Sequence, residues 1–120
     1  MAGSVNKVIL VGRLGKDVEQ RHTQAGTAVA DFSLATTSSR GKGAEKEEAT
    51  EWHRIVVWDK LAELCAQYIH KGSKVYVEGR LQTRKWQDKS GEDRWTTEVV
   101  AREVVFLDPA PKRGERQGGW

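Results

Sequence analysis

Residues 52–58 read Trp52-His53-Arg54-Ile55-Val56-Val57-Trp58. Two tryptophans, two valines and an isoleucine stand together without Gly or Pro, a composition that favours a β-strand. Successive side chains of a strand point to opposite faces. Trp52, Arg54, Val56 and Trp58 therefore share one face, and His53, Ile55 and Val57 share the other. At ~3.3 Å per residue the two indoles stand roughly 20 Å apart, with a guanidinium between them. Ile55 and Val57 are core candidates. The opposite face sets flat rings beside a permanent cation, the combination that an unpaired nucleic-acid strand requires. Every base has a π-face to stack on an indole, and every linkage has a charge for Arg to meet. The alternative is that both tryptophans are ordinary buried residues, since Trp is highly buried on average.

Downstream of this stretch, Asp59 is the expected N-cap of a helix. Leu61, Leu64, Cys65, Tyr68 and Ile69 recur at helical spacing as one apolar stripe. His70 and Lys71 suit the negative end of a helix, and Gly72 suits the residue just past it. Cys65 lies on the buried side and reads as a small core residue, not a nucleophile. Residues 74–86 form the next strand. Val75, Val77, Gly79 and Leu81 point one way; Tyr76, Glu78, Arg80, Gln82, Arg84 and Trp86 point the other. Arg80, Arg84 and Trp86 thus repeat the pattern of Trp52, Arg54 and Trp58 on a second strand. Residues 87–94 form a hairpin loop and residues 95–107 the final strand. Residues 108–120 hold both prolines and little that is apolar, so they read as a flexible tail leaving a domain of residues 1–107.

Upstream, residues 5–14 alternate and then thicken into Val8-Ile9-Leu10-Val11, a first strand in which Gly12 marks a bulge or bend. Residues 15–26 read as a loop or short irregular strand with Arg21 and His22 exposed. Residues 28–37 form the second strand, with Phe32 and Leu34 inward. Residues 38–48 are rich in Ser, Gly, Lys and Glu and carry no aliphatic residue beyond alanine. They bury too little apolar area to offset ordering entropy, which predicts a long mobile loop. Three strands, one helix and two strands make an all-β architecture: a five-stranded Greek-key barrel of the OB-fold type, with one α-helix between strands three and four. Such barrels bind oligonucleotides on one face and through their loops.

Composition agrees. At 120 residues the chain fits one domain. Its formal charge of +3 permits a polyanionic partner, and five Trp are a more informative excess than the charge. A single Cys excludes an intrachain disulfide and a Cys cluster for zinc. No run approaches the ~20 apolar residues that cross a bilayer. A soluble, cytoplasmic protein of a reducing compartment, with no cofactor, no metal and no membrane partner, is expected.

Several motifs in order carry a family resemblance. Asn6-Lys7-Val8-Ile9-Leu10-Val11-Gly12-Arg13-Leu14-Gly15 resembles the opening of bacterial single-stranded DNA-binding proteins. So do Thr50-Glu51-Trp52-His53-Arg54-Ile55-Val56, Tyr68-Ile69-His70-Lys71-Gly72-Ser73-Lys74-Val75-Tyr76-Val77-Glu78-Gly79, Thr83-Arg84-Lys85-Trp86 and Thr96-Thr97-Glu98-Val99-Val100. The resemblance spans residues 4–107. It implies a homotetramer, built from dimers, that wraps single-stranded DNA without sequence preference in replication, recombination and repair, associated with the bacterial nucleoid. It implies base stacking on Trp52, Trp58 and Trp86, and phosphate contacts from Lys7, Arg21, Arg54, Lys60, Lys71 and Arg84. Arg40 stands where some members carry a further stacking tryptophan. His53 corresponds to a residue supporting the subunit interface, whereas its pattern alone reads as a packed strand residue. Members usually end in a Gly-rich linker and an acidic tip that recruits replication and repair proteins. This sequence ends at Gln117-Gly118-Gly119-Trp120, so those partners are expected only with a longer tail.

The apolar first strand exceeds the needs of one barrel, and an unpaired edge invites pairing with a copy. The interface is expected at Val8, Leu10 and Tyr76 together with His53. Two other classes compete. An enzyme would use pairs such as His53 with Glu51, or Asp17 with Glu19, yet no Ser/His/Asp or HExxH arrangement accompanies them, and none is expected to be catalytic. An OB module for a protein partner would use the aromatic face as a hot spot. RNA remains open beside DNA, because stacking and phosphate contacts do not read the 2′-hydroxyl.

Overall fold

The structure, a computed structural model, describes residues 3–109. Six strands and one α-helix follow in the order β1 (Val8–Leu14), β2 (Glu19–His22), β3 (Ala28–Arg40), β4 (Glu47–Trp58), α1 (Asp59–Tyr68), β5 (Lys74–Gln87) and β6 (Asp93–Phe106), with a 3-10 turn at Gly43–Glu45. The sheet runs β1-β5-β6-β4-β3-β2, and β1 also pairs with β3. That extra pairing, Arg13↔Ala35 and Leu14↔Leu34, closes five strands into a barrel, with β2 hung outside on β3. All pairings are antiparallel except β4 with β6, which meet in parallel at Ile55↔Val99 and Val56↔Val100. This is the expected OB-fold. Counting the short β2 places the helix between the fourth and fifth strands of the chain; without it, the expected order of three strands, helix and two strands stands.

The barrel closes because β1 changes partner. Through Arg13 it pairs with β5, and at Arg13 and Leu14 it joins β3. At Gly12 a Cβ would lie 2.1 Å from the Ala35 carbonyl oxygen. Only glycine lets the two backbones meet there. The core fills the barrel with alternate residues of each strand: Leu34, Ile55, Val57, Val75 and Val77 are fully buried. α1 closes one end with Ala62, Cys65 and, just beyond it, Ile69. Burial pushes the Cys65 thiol up to about 12, so it stays neutral and unreactive.

Four local expectations are corrected. First, residues 38–48 do not form one mobile loop. β3 and β4 continue as a paired ribbon out to Arg40↔Glu47, because backbone hydrogen bonds extend a hairpin even where no side chain is buried. Second, Asp59 is not the N-cap. Trp58 holds that position without a side-chain bond, and Asp59 opens the helix with φ 58, a left-handed conformation that Asp tolerates better than most residues. Third, Tyr68 leaves the buried stripe and faces outward beside Phe106, ring centroids 6.2 Å apart, while Ala62 takes the buried place. Fourth, Val8 and Leu10 pack against the core, and the exposed apolar residues of β1 are Ile9 and Val11. The alternation had two phases to choose from, and barrel closure at Leu14 selects this one. Of the expected tail, residues 108–120, only the start is described: Asp108 accepts a hydrogen bond from the Lys74 backbone N–H at 3.1 Å. Residues 110–120 lie outside the described residues.

Two predictions follow from packing and capping. Ile55→Ala empties the barrel centre and is expected to cost about 2–5 kcal/mol in urea unfolding. In the β5–β6 loop, Asp88 accepts from Ser90, the Glu92 backbone and Arg94, which hold its carboxyl down at about 2. A depressed carboxyl stabilises above its ordinary value and loses that contribution as pH falls through its folded one. The protection of the Ser90 and Glu92 amides, relative to their intrinsic exchange at each pH, should therefore fall as pH drops from about 4 toward 2.

Candidate nucleic-acid interface

The outer face of the barrel is generated by the same alternation that fills its core. With Ile55 and Val57 inward, β4 sends Trp52, Arg54, Val56 and Trp58 outward. Register carries the face sideways: Asp31 lies opposite Val56, Arg21 opposite Val29, and Val100 opposite Arg80. On the far side, Arg84 lies opposite Thr96 and Trp86 opposite Arg94. Trp52, Arg54, Trp58, Arg84 and Trp86 are therefore together on one surface, with Arg21 and Arg80 at its borders. The three indoles keep 60%, 42% and 42% of their surfaces open in the order Trp52, Trp58, Trp86. They are accessible rings on an otherwise well-packed sheet, which removes the reading in which they are buried.

Each ring has a distinct seat. Trp52 lies on Gly15, where an added Cβ would come within 2.3 Å of the indole; Lys16 and Ser33 complete that hollow. Trp86 donates from Nε1 to Thr96 Oγ1 at 2.8 Å and shares a second hollow with Arg54, Arg84 and Thr96. Trp58 forms one wall of a cleft of about 560 Å³ that also includes Lys7, Arg80, Val100 and Arg102. Lys7 and Arg102 both approach Glu78 there. The phenol of Tyr76 donates to Glu78 at 2.9 Å. That bond, with Arg102 and Lys7, holds Glu78 below the usual carboxylate range, and in return lifts the Tyr76 phenol above its own.

Between the rings runs a row of ion pairs. Arg21 donates to Asp31 Oδ1 at 2.8 Å, and Arg54 Nη1 lies 3.1 Å from Asp31 Oδ2. Arg54 Nε donates to Glu98 Oε2 at 3.0 Å, and Arg84 Nε to Glu98 Oε1 at 3.1 Å. Both carboxylates are buried. Sequence reasoning found the three arginines and missed the two acids. Glu98 sits in phase with Thr96 and Val100 on β6, so the alternation contained the signal, but nothing in one strand names its partner on the next.

The remaining expected contacts scatter. Arg80 is exposed and donates to Gln82 at 3.1 Å. Arg40 stands at the outer end of β3, opposite Glu47, beyond the barrel. Lys60 is exposed in the first turn of α1, and Lys71 follows the helix, its backbone N–H donating to Asp17 at 2.8 Å. Neither belongs to the strand face. His53 faces away from Trp52 and Arg54 and shares a 2.8 Å hydrogen bond with Thr36 of β3. Trp95 was not singled out, yet it is 64% exposed, with Lys85 over its ring at 5.8 Å. It follows the core phase of Val99, but the β5–β6 ribbon has by then passed the end of the barrel and has no core to face. No cluster of three His, Cys, Asp or Glu suited to a metal occurs among the described residues, and no helix there is long and apolar enough to cross a membrane.

Gly15→Ala tests the seat of Trp52. The added methyl must displace the indole, so the Trp emission spectrum should shift while Ile55 and its neighbours stay packed. An unchanged spectrum and unchanged ligand quenching would show that the ring does not depend on that seat.

The chain and its closed five-stranded barrel are matched among known proteins. The model of the Single-strand binding protein family matches residues 5–107. Among solved structures, the Plasmodium falciparum SSB complex with ssDNA is 36% identical, covers 90% of this chain and 99% of that one, and superposes with a TM-score of 0.80. The chain belongs to the single-strand binding protein family.

Proposed function

We propose that this chain binds single-stranded DNA without sequence preference, wrapping and protecting it in replication, recombination and repair. The observation that carries the reading is the set of three exposed indoles on one sheet face, Trp52, Trp58 and Trp86, with guanidiniums between them. Bases stack on the rings, and Lys7, Arg21, Arg40, Arg54, Lys60, Lys71, Arg80 and Arg84 meet phosphates along and around that face. Duplex is excluded because paired bases do not present their faces. The chain acts by binding and not by catalysis.

The proposed assembly is a homotetramer built from dimers. In support, the outer face of β1 and its neighbours carries exposed Ile9, Val11 and Val105. Val11 pairs with Tyr76 and Tyr76 with Val105, so the three lie in one row across the sheet. His53 and Tyr76 contribute to the subunit contacts. Val8 and Leu10 shape them from beneath, through the core. Recruitment of replication and repair proteins belongs to a longer tail where one exists, and a cytoplasmic, nucleoid-associated site of action accompanies the reading.

A fluorescence titration tests it. Poly(dT) should quench the tryptophans strongly and duplex weakly; absence of quenching by poly(dT) overturns the reading, and equal quenching by a matched RNA extends it to both polymers. Trp52→Ala should cost ~1–3 kcal/mol on every sequence alike. For assembly, light scattering should give about four times the chain mass of 13.5 kDa. A stable 13.5 kDa particle at micromolar concentration contradicts the tetramer.

A further inference from the structure

The five charged residues Arg21, Asp31, Arg54, Glu98 and Arg84 form one continuous row across the binding face. Each oxygen of each carboxylate is taken by a different arginine: Asp31 Oδ1 by Arg21 and Oδ2 by Arg54, Glu98 Oε2 by Arg54 and Oε1 by Arg84. The acids lie deep, their side chains 11% and 4% exposed, while the arginines reach the surface. We propose that Asp31 and Glu98 are positioning residues of the DNA face: internal anions that fix the guanidiniums of Arg21, Arg54 and Arg84 on that face and lower the charge they can offer to DNA. The proposal rests on the single-stranded DNA reading given above.

A carboxylate buried to this degree and stripped of its cation would carry a large desolvation penalty. DNA phosphates therefore cannot simply take the arginines away from Asp31 and Glu98. A guanidinium has five N–H donors, and Arg54 spends only part of them on the two acids, so a phosphate is accepted beside the carboxylates and not in their place. The row then presents three cations against two anions. It neutralises about one phosphate where three free arginines would neutralise about three. The centre of the face holds DNA by ring contact and by fixed donor geometry, and counterion release comes mainly from the surrounding unshared cations.

The readout is the slope of log Kobs against log salt, which for single strands is about −0.7 for each phosphate neutralised. Glu98→Gln keeps the shape and removes one internal charge. It should steepen the slope by about 0.7, so that each tenfold dilution of salt gains about fivefold more affinity than in the parent. Asp31→Asn, at the more accessible acid, should do the same, and the two together should add. Arg54→Gln should change the slope less in the parent than in the Glu98→Gln background, where Arg54 is less shared. If the carboxylates merely support the fold, affinity falls by one factor at every salt concentration and the slope stays as it was, and that result overturns the proposal. Should Glu98→Gln fail to give a folded barrel by circular dichroism, Asp31→Asn alone decides by the same criterion. A parent protein that does not bind poly(dT) at all would instead overturn the single-stranded DNA reading, so the two failures are distinguishable.

Discussion

Ile55 and Val57 are fully buried in the barrel, and their burial fixes which way every other residue of β4 points. A strand has only two faces, and a slip of one residue exchanges them. Inverting β4 would expose Ile55 and Val57, each worth about 1.5–3 kcal/mol of burial, and would drive Trp52, Arg54 and Trp58 into a cavity sized for aliphatic side chains. The guanidinium of Arg54 would have no solvent and no carboxylate there. The outward direction of the platform is thus set by the apolar packing behind it, and the seats of the rings and the ion pairs of the arginines then fix each side chain in place. The parallel pairing Ile55↔Val99 and Val56↔Val100 transmits the same phase to β6, and β6 transmits it to β5 through Arg80↔Val100 and Arg84↔Thr96. Three rings on two strands, Trp52 and Trp58 on β4 and Trp86 on β5, face one way because one core sets one phase.

Under the proposed function, the face so produced divides its work between two kinds of force. Ring contact is short in range and indifferent to salt. Charge acts over about a Debye length and fades as ions are added. Across the face, the buried acids Asp31 and Glu98 are paired with Arg21, Arg54 and Arg84 and offset much of their positive charge. Toward the edges, Arg40 and Arg80 are exposed. Under the proposed function, a polymer that must be held firmly yet handed on would benefit from such a division: stacking would set a local grip on the rings, while peripheral cations would gather the strand.

Much of this was legible in the sequence because it depends on periodicity. The alternation at residues 52–58 and of Val75 and Val77 identified inward and outward sets, although Leu81, read as inward, is exposed and Glu78, read as outward, is buried; the spacing of Leu61, Cys65 and Ile69 identified a helix. What escaped depends on tertiary closure. Val8 and Leu10 could not be told from Ile9 and Val11 until β1 met β3 at Leu14↔Leu34. The paired ribbon of residues 38–49 is held by backbone bonds that composition does not report. Glu98 and Asp31 reveal their role only when β3, β4, β6 and β5 are laid side by side. Trp95 follows a core phase on a ribbon that has outrun the core. Gly15 matters through what lies on it, and a glycine gives no sign of its neighbour.

The most direct test of the platform is fluorine NMR of protein labelled with 5-fluorotryptophan, each resonance assigned by single Trp→Phe substitutions, during titration with oligo(dT). The account requires that the resonances of Trp52, Trp58 and Trp86 move together as the strand binds and stop moving at one common saturation point. Binding that leaves those three resonances in place, with the shift confined to Trp95, would contradict it.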